Sequence, residues 1–417
     1  MINPRNKHKI QSKYVSSEGE NMTKTLSVNL GSSTLKWRLF EMPDEKQVAS
    51  GLVDFFDNTK AKITVKYGDK KAERTFDEKL SLKDAITILM DELRRLKLVK
   101  DLHEIAGVGH RVVAGGEVFK ESVVITKDVL KQIDDLDVFA PLHNHVEVGG
   151  IELFRQLMPW TTQVAVFDSA FHQTMPEENY LYGIPYDFHE KYGARKYGAH
   201  GTSVRYVSKH AAKVLQRPLE DLRLIVMHLG AGSSITAVSK GKSLDTSMGF
   251  TPLDGLIMNT RSGQVDASLV TYLIKKLNLK NADEMLNILN NESGLLGISG
   301  FSDDQRELKK LASTNPRARL ALNMFANRVV KFVGSYIALM DGVDALIFTG
   351  GVGENSFEMR EQIMSHFGYV GATIDKTKNE SGNKEIDVSA ADAKVKTLVV
   401  PTNEELMIAR DVYKRLL

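Results

Sequence analysis

The chain has 417 residues, 42% hydrophobic and 26% charged, with 55 Lys and Arg against 53 Asp and Glu for a formal net charge of +2. A chain this long can bury two sizeable cores, and its near-neutral balance gives no argument for nucleic acid or an acidic membrane surface. Cysteine is absent, which excludes a disulfide framework, thiolate metal ligands and a cysteine nucleophile, and no apolar run approaches a membrane span; the reading is a globular cytoplasmic protein.

Residues 1–21 are polar and basic without an apolar signal core, so they read as a disordered leader, with Met22 as an alternative start. Leu26–Phe40, LSVNLGSSTLKWRLF, is two apolar runs joined by a glycine and hydroxyl-rich turn. Such a turn is either a plain hairpin or one whose backbone N–H groups cradle an anion. Short β-like runs continue to Phe76, and Ser81–Leu98 carries apolar residues at helical spacing behind a Ser-x-x-Asp start. Ile105–Val113 reads as a buried strand carrying His110 and Arg111, both of which need partners; a structural ion pair and a ligand contact are both open for Arg111.

Pro141-Leu142-His143-Asn144-His145 opens a helix from Val146 to Leu157. Histidines two apart do not share a helical face, which favours capping or cleft lining over a metal site. Gln163–Asp168 is a second buried strand, with a carboxylate at the C-terminal end where open α/β sheets hold ligands; a turn or cap role is the alternative for Asp168. Gly201-Thr202-Ser203 suits a cap for a helix from near Val204, with His200 just before it, placed either to meet an anion or to cap.

Leu224–Val238, LIVMHLGAGSSITAV, repeats the first hairpin: Met227-His228-Leu229-Gly230 matches Val28-Asn29-Leu30-Gly31, each followed by serines. Self-similarity at this range implies two related halves, each offering a hairpin to a shared cleft. The long polar loop from Asp245 to Pro252 leads to Thr260-Arg261-Ser262-Gly263, where Arg261 has no acidic neighbour nearer in sequence than Asp254 and Asp266 and so suits an external anion. Helices are expected over Ser268–Asn291 and Asn315–Met340. Val343–Asn355 is a strand entering a Gly-Gly-x-Gly turn before a helix from Ser356, which suits a nucleotide's sugar or α-phosphate. Val395–Pro401 is a last strand, and Thr402-Asn403-Glu404-Glu405 caps the final helix. Walker-type, dinucleotide-binding and protein-kinase loops are absent, so a nucleotide would need another architecture.

Seven of these stretches, in order, resemble the acetate kinase family: Asn29-Leu30-Gly31-Ser32-Ser33-Thr34-Leu35-Lys36, Gly109–Val113, Ala140–Asn144, Phe167–Pro176, Asp245–Leu253, Thr260–Gly263 and Gly351–Ser356. The likeness runs from about Leu26 to Arg410. It implies an α/β chain with the two-domain actin-like ATPase (ribonuclease H-like) fold, with duplicated mixed sheets flanked by helices and an interdomain cleft. Residues 22–170 would form the acid-binding domain, 171–404 the nucleotide-binding domain, and 405–417 would pack back on the first. The implied reaction is reversible transfer of the ATP γ-phosphoryl to acetate or a slightly longer carboxylate, giving acyl phosphate and ADP. Mg²⁺, with Mn²⁺ as an alternative ion, and a homodimer are implied with it.

Carried over position by position, the resemblance assigns Arg111 and Arg261 to the carboxylate and the transferring phosphoryl, His200 to the transition state, and Asp168 to orienting metal-bound water or an arginine. Asn29 and Glu404 would hold the metal. Lys36, His228, Leu229, Gly230, Ala231, Gly232, Asp304, Gln305, Arg306, Gly351, Val352, Gly353, Glu354 and Asn355 would meet ATP, and Val113, Leu142, His143 and Pro252 would line the acid pocket. The chain departs from the family at Ala114, His145, Ala199, Val204, Ala231, Asn259 and Gln264, where His, Pro, Phe, His, Asn, Gly and Asp are usual. Ala199 is expected to leave a void costing roughly 3 kcal/mol unless a longer acyl chain fills it, and Ala231 to lose a phosphate hydrogen bond of about 1.5–3 kcal/mol. A propionate or butyrate kinase and a weakened nucleotide-binding paralogue are the alternatives, with a sugar or polyol kinase on the same fold behind them.

Overall fold

The computed structural model describes residues 22–31, 33–55, 60–137, 144–382 and 385–417. The leader at 1–21 and the candidates Leu142 and His143 lie outside the described residues. Two mixed sheets organise the chain. The first contains β1 (Thr23–Leu30), β2 (Thr34–Met42), β3 (Lys46–Asp54), β4 (Ala61–Tyr67), β5 (Lys70–Phe76), β6 (Ile105–Val112), β7 (Val123–Val124) and β8 (Thr162–Phe167), in the order β5-β4-β3-β2-β1-β6-β8-β7. The second contains β9 (Arg223–Leu229), β10 (Ser233–Ser239), β11 (Lys242–Thr246), β12 (Ala345–Thr349), β13 (Ile386–Asp387) and β14 (Lys396–Val399), in the order β11-β10-β9-β12-β14-β13.

Apart from β4 and β5, the two orders are the same. Each half has an antiparallel trio, two strands parallel to the first member of that trio, and a short antiparallel strand at the far edge. The repeat heard in the sequence is therefore a repeat of topology. Parallel strands covered on both faces need apolar side chains on both, and β12 is buried at all of its positions. β5, at the sheet edge, reads KKAERTF and is mostly exposed, which discourages pairing with another chain.

Helices cover these sheets. Leu82–Arg95 starts on a capping box between Ser81 and Asp84 and lays Ala85, Ile86, Leu89 and Leu93 onto the first sheet. Pro316–Leu339, capped by Asn315 with proline in its first turn, does the same for the second. The stretch expected as helical over Ser268–Asn291 is two helices, Ala267–Lys276 and Ala282–Asn291. Asn278 turns left-handed between them, at φ 53°, and Asn281 caps the second. The glycine turn expected after β12 is itself the helix Gly350–Asn355, followed by Phe357–Met364. The Glu354 carboxylate accepts the Gly350 N–H at 3.0 Å and closes that first turn, so helix begins six residues earlier than Ser356. No helix among the described residues is long and apolar enough to cross a membrane.

The last helix, Glu404–Leu416, leaves the second sheet and lies across β1, β6 and β8 of the first. Its approach depends on glycine. A Cβ at Gly109 would sit 2.6 Å from Val412 Cγ2 and press on Ile408 as well. Replacing Gly109 by Ala is expected to lower the unfolding free energy by about 1–3 kcal/mol through overpacking. Urea melts would read this, and an unshifted midpoint would contradict the close contact.

Candidate active site

β1, β6 and β8 run parallel, so their C-terminal ends share one edge, where open α/β sheets present ligand-binding groups. They carry Asn29, Arg111 and, one residue past β8, Asp168. Arg111 Nε and Nη2 donate to Asp168 Oδ2 at 2.9 and 2.6 Å, and Nη1 donates to Asn29 Oδ1 at 3.4 Å. Asp168 is wholly buried, and its Oδ1 has no hydrogen-bond partner among the described residues. A buried carboxylate oxygen without a donor is costly, so this atom marks where a cation or water from outside the chain would be favourable.

Asp168 also positions the histidine. Its carbonyl accepts the Gly201 N–H at 2.8 Å, which starts the helix Gly201–Val214 three residues earlier than expected. A backbone carbonyl takes over the role foreseen for a Gly-Thr-Ser cap. Any Cβ at Gly201 would collide with that same oxygen. His200, at the N-cap position, adopts a left-handed φ of 60° and makes no side-chain cap bond, a strained conformation for a residue with a Cβ. Its ring instead faces the second sheet: Nδ1 lies 2.9 Å from Ser234 Oγ, and the ring stacks on His228 with centroids 4.1 Å apart. His228 Nδ1 is 2.8 Å from Ser203 Oγ, which also meets Thr402 Oγ1 at 2.7 Å.

The charge around these rings is uneven. Burial, then His228, Arg111 and Arg261, hold His200 well below the usual imidazole range, and burial pushes His228 down to about 4. Arg261 donates to the Pro252 carbonyl at 3.4 Å and has no carboxylate partner among the described residues. Burial and the Arg111 charge lower its pKa, which leaves it a cation all the same. Two guanidinium groups, one from each half, thus act on each other and on one histidine. Like charges held together in a partly dry cleft favour an anion between them. At the first turn of the last helix, burial pushes Glu404 up to about 7 against the pull of Arg111 and, more weakly, of Lys36, which stands on β2 opposite Asn29.

Residues 24–410 match the Acetokinase family. The chain belongs to this family. It is 60% identical over 392 residues to the acetate kinase of Lacticaseibacillus paracasei, covering 94% of this chain and 99% of the relative. It is 54% identical over 394 residues to that of Lactiplantibacillus plantarum, covering 94% and 98%. Among solved structures it resembles Porphyromonas gingivalis acetate kinase, at 40% identity and TM-score 0.87 over 95% of this chain and 100% of that one. It also resembles a propionate kinase from Francisella tularensis, at 43% identity and TM-score 0.88 over 94% and 99%. The family is one of ATP-dependent carboxylate kinases on the actin-like ATPase fold, as the duplicated sheets indicate.

The nucleotide candidates divide into those that face open space and those already satisfied within the chain. The Gly230–Gly232 loop lies over His200 and beside the start of the Gly350 helix: a Cβ on Gly232 would stand 3.6 Å from His200 Nε2, and one on Gly230 3.8 Å from Gly351 N. Glu354 is occupied internally, accepting from Gly350 N and from Thr402 N at 3.2 Å. Asp304 caps its own helix at Arg306 N and pairs with the Arg306 guanidinium at 2.6 to 3.0 Å, so these two charges satisfy each other. Gln305 between them has both amide atoms buried and unpartnered. Leu229 ends β9 just before the hairpin turn, and Val352, Gly353 and Asn355 belong to the Gly350 helix, with Asn355 Nδ2 donating to the Gly351 carbonyl at 2.8 Å.

Three of the departures from the family pattern have defined surroundings. Ala199 is 3% exposed and packs in a buried cluster with Met248 and Met258, side chains flexible enough to fill irregular space. Val204 is wholly buried with Val207 and Ala211 against the second sheet. Ala231 is exposed at the hairpin tip, where its carbonyl accepts the Asn259 N–H at 3.2 Å.

Sequence reading gave Ser203 and Thr402 capping roles only, where the structure has them, with Ser234, holding the two histidine rings, and it passed over Ser234 and Glu147. The last had a signal: Glu147, Ile151 and Phe154 fall at helical spacing on the buried face of Asn144–Leu157. A carboxylate on such a face calls for a partner.

Because burial keeps both rings short of protons, His200 and His228 are expected to stay neutral as pH falls through their ordinary 6.5. Imidazole ¹⁵N shifts would show it; a midpoint near 6.5 for either ring would contradict the packing described.

Proposed function

We propose that this protein is an acetate kinase, moving the γ-phosphoryl of ATP reversibly onto acetate to give acetyl phosphate and ADP. The observation that carries the reading is the convergence of Arg111 and Arg261 from opposite halves, with Arg261 lacking a carboxylate partner among the described residues. Phosphoryl transfer spreads negative charge over the oxygens in flight, and fixed cations in a partly dry site stabilise it without reorganising. Arg111, steadied by Asp168, would hold the acid's carboxylate, and Arg261 the transferring group. His200, neutral and tied to Ser234 through Nδ1, would offer its other nitrogen to the phosphoryl oxygens. Val113, 4% exposed at the end of β6, and Pro252, whose carbonyl steadies Arg261, would border the acid's methyl group. Leu142 and His143 would complete that pocket.

Lys36, the His228–Gly232 hairpin, Gln305 with its flanking Asp304 and Arg306, and the Gly351–Asn355 helix would receive ATP. Asn29 and Glu404 offer oxygen donors suited to Mg²⁺ or Mn²⁺, and the unpartnered Asp168 Oδ1 fits such an ion or its waters. When bound, the ion would offset phosphate charge. Residues 22–170 with 405–417 would form the acid half and 171–404 the nucleotide half of a cytoplasmic enzyme. A homodimer is supported by the helix Ala267–Lys276, which buries no residue and exposes Leu269 and Tyr272 at 45% and 54%.

Methionine packing around Ala199 favours acetate over propionate or butyrate. Hydroxamate trapping of acyl phosphate across the three acids with Mg-ATP should give most product with acetate, and no product from any acid would sink the reading. Arg111→Ala and Arg261→Ala should each cut kcat/KM for acetate about 10³-fold. Losses of less than tenfold would remove the arginines from the chemistry.

A further inference from the structure

The corner where β6 ends is held in an unusual way. Three successive backbone N–H groups are each satisfied by a buried side chain: Val113 by Glu147 Oε2 at 3.1 Å, Ala114 by Asn144 Oδ1 at 3.3 Å, and Gly115 by Ser169 Oγ at 2.9 Å. Two of these acceptors belong to the first turn of Asn144–Leu157. Of the three, only Glu147 is ionisable, and it is 3% exposed. Its second oxygen, Oε1, has no partner among the described residues, and the side chain borders a cavity of about 10 Å³ shared with Arg111, His110 and Leu30. That is room for about one water.

We propose that Glu147 is a positioning residue for the acid-binding half of the site: it pins the Val113 wall and sets the charge that Arg111 sees, thereby governing affinity for the carboxylate substrate and not for ATP. This rests on the acetate kinase reading of the cleft. The charges acting on Glu147 are Arg111 on β6 and Asp168 beyond β8. β1 presents apolar Val28 and Leu30 to the shared cavity. His110 is kept neutral by burial, with its Nε2 2.6 Å from Gln163 Oε1.

Burial pushes Glu147 up to about 8, against the pull of Arg111. The sign follows. Below that pH the carboxyl is neutral, and Arg111 faces Asp168 and, from about 7 upward, a charged Glu404. Above it a third negative charge arrives beside Arg111 and competes with the substrate's own carboxylate. Affinity for the acid should therefore weaken as pH climbs through about 8.

The test compares the full-length wild type with Glu147→Gln and Glu147→Ala, reading KM for acetate and for ATP separately over that pH range. Glutamine keeps an acceptor for Val113 and stays uncharged. Its acetate KM at neutral pH should lie within about twofold of wild type, and it should lose the wild-type rise at high pH. Alanine orphans the Val113 N–H and should raise acetate KM about tenfold with ATP KM unchanged.

The proposal is overturned if a folded alanine variant shifts both KM values together or neither, or if the glutamine variant keeps the wild-type pH dependence. Should alanine not fold, the glutamine pH profile decides alone. A wild type that makes no acyl phosphate would instead overturn the reading of the cleft, and this proposal with it.

Discussion

The site hangs on the ion pair between Arg111 and Asp168 at the ends of β6 and β8. It is charged, forked and buried on the carboxylate side, the geometry in which a guanidinium loses least entropy per bond. Breaking it would leave an unpaired charge in a dry place. Each partner has a second task. Arg111 turns its remaining face to Asn29, and the Asp168 carbonyl starts the helix that presents His200. One pair thus couples the first sheet to the histidine cluster of the second.

Duplication explains how two weak signals become one site. A glycine hairpin followed by serines is unremarkable in a single sheet. Two copies, each at the open end of an equivalent strand, place Asn29 and Lys36 at the end of the first hairpin and His228 to Gly232 at the end of the second. The last helix then crosses between halves, carrying Glu404 from the end of β14 to the neighbourhood of Arg111. Gly107 and Gly109 permit that crossing because a side chain there would push Val412 off the sheet. Fold and site therefore share a cause: small residues at strand ends and crossings, with charge placed where the backbone opens.

What could be read from sequence follows the range of the interactions. Buried strands, the capping box at Ser81 and the hairpin repeat are local patterns, and the carboxylate after Phe167 was visible as a strand-end group. The start of the helix after His200 was not legible, because a carbonyl from residue 168 does the capping and frees His200 for a left-handed turn. The Gly350 helix was hidden by its glycines, which read as a turn until Glu354 is seen closing it. The space at Ala199 depends on Met248 and Met258, some fifty residues away, so no local pattern announces that it is filled. Glu147 was passed over: its place on the buried face with Ile151 and Phe154 called for a partner, but the partner, the Val113 N–H just past the end of β6, lies too far along the chain to be read locally.

In the proposed reaction Arg111 and Arg261 close on one small organic anion. A crystal structure of the protein with acetate, ADP and Mg²⁺ tests it most directly. The acetate carboxylate is expected within hydrogen-bonding distance of a guanidinium, between Arg111 and Arg261 and beside His200. Acetate bound elsewhere, or the two arginines turned away from each other into solvent, would contradict it.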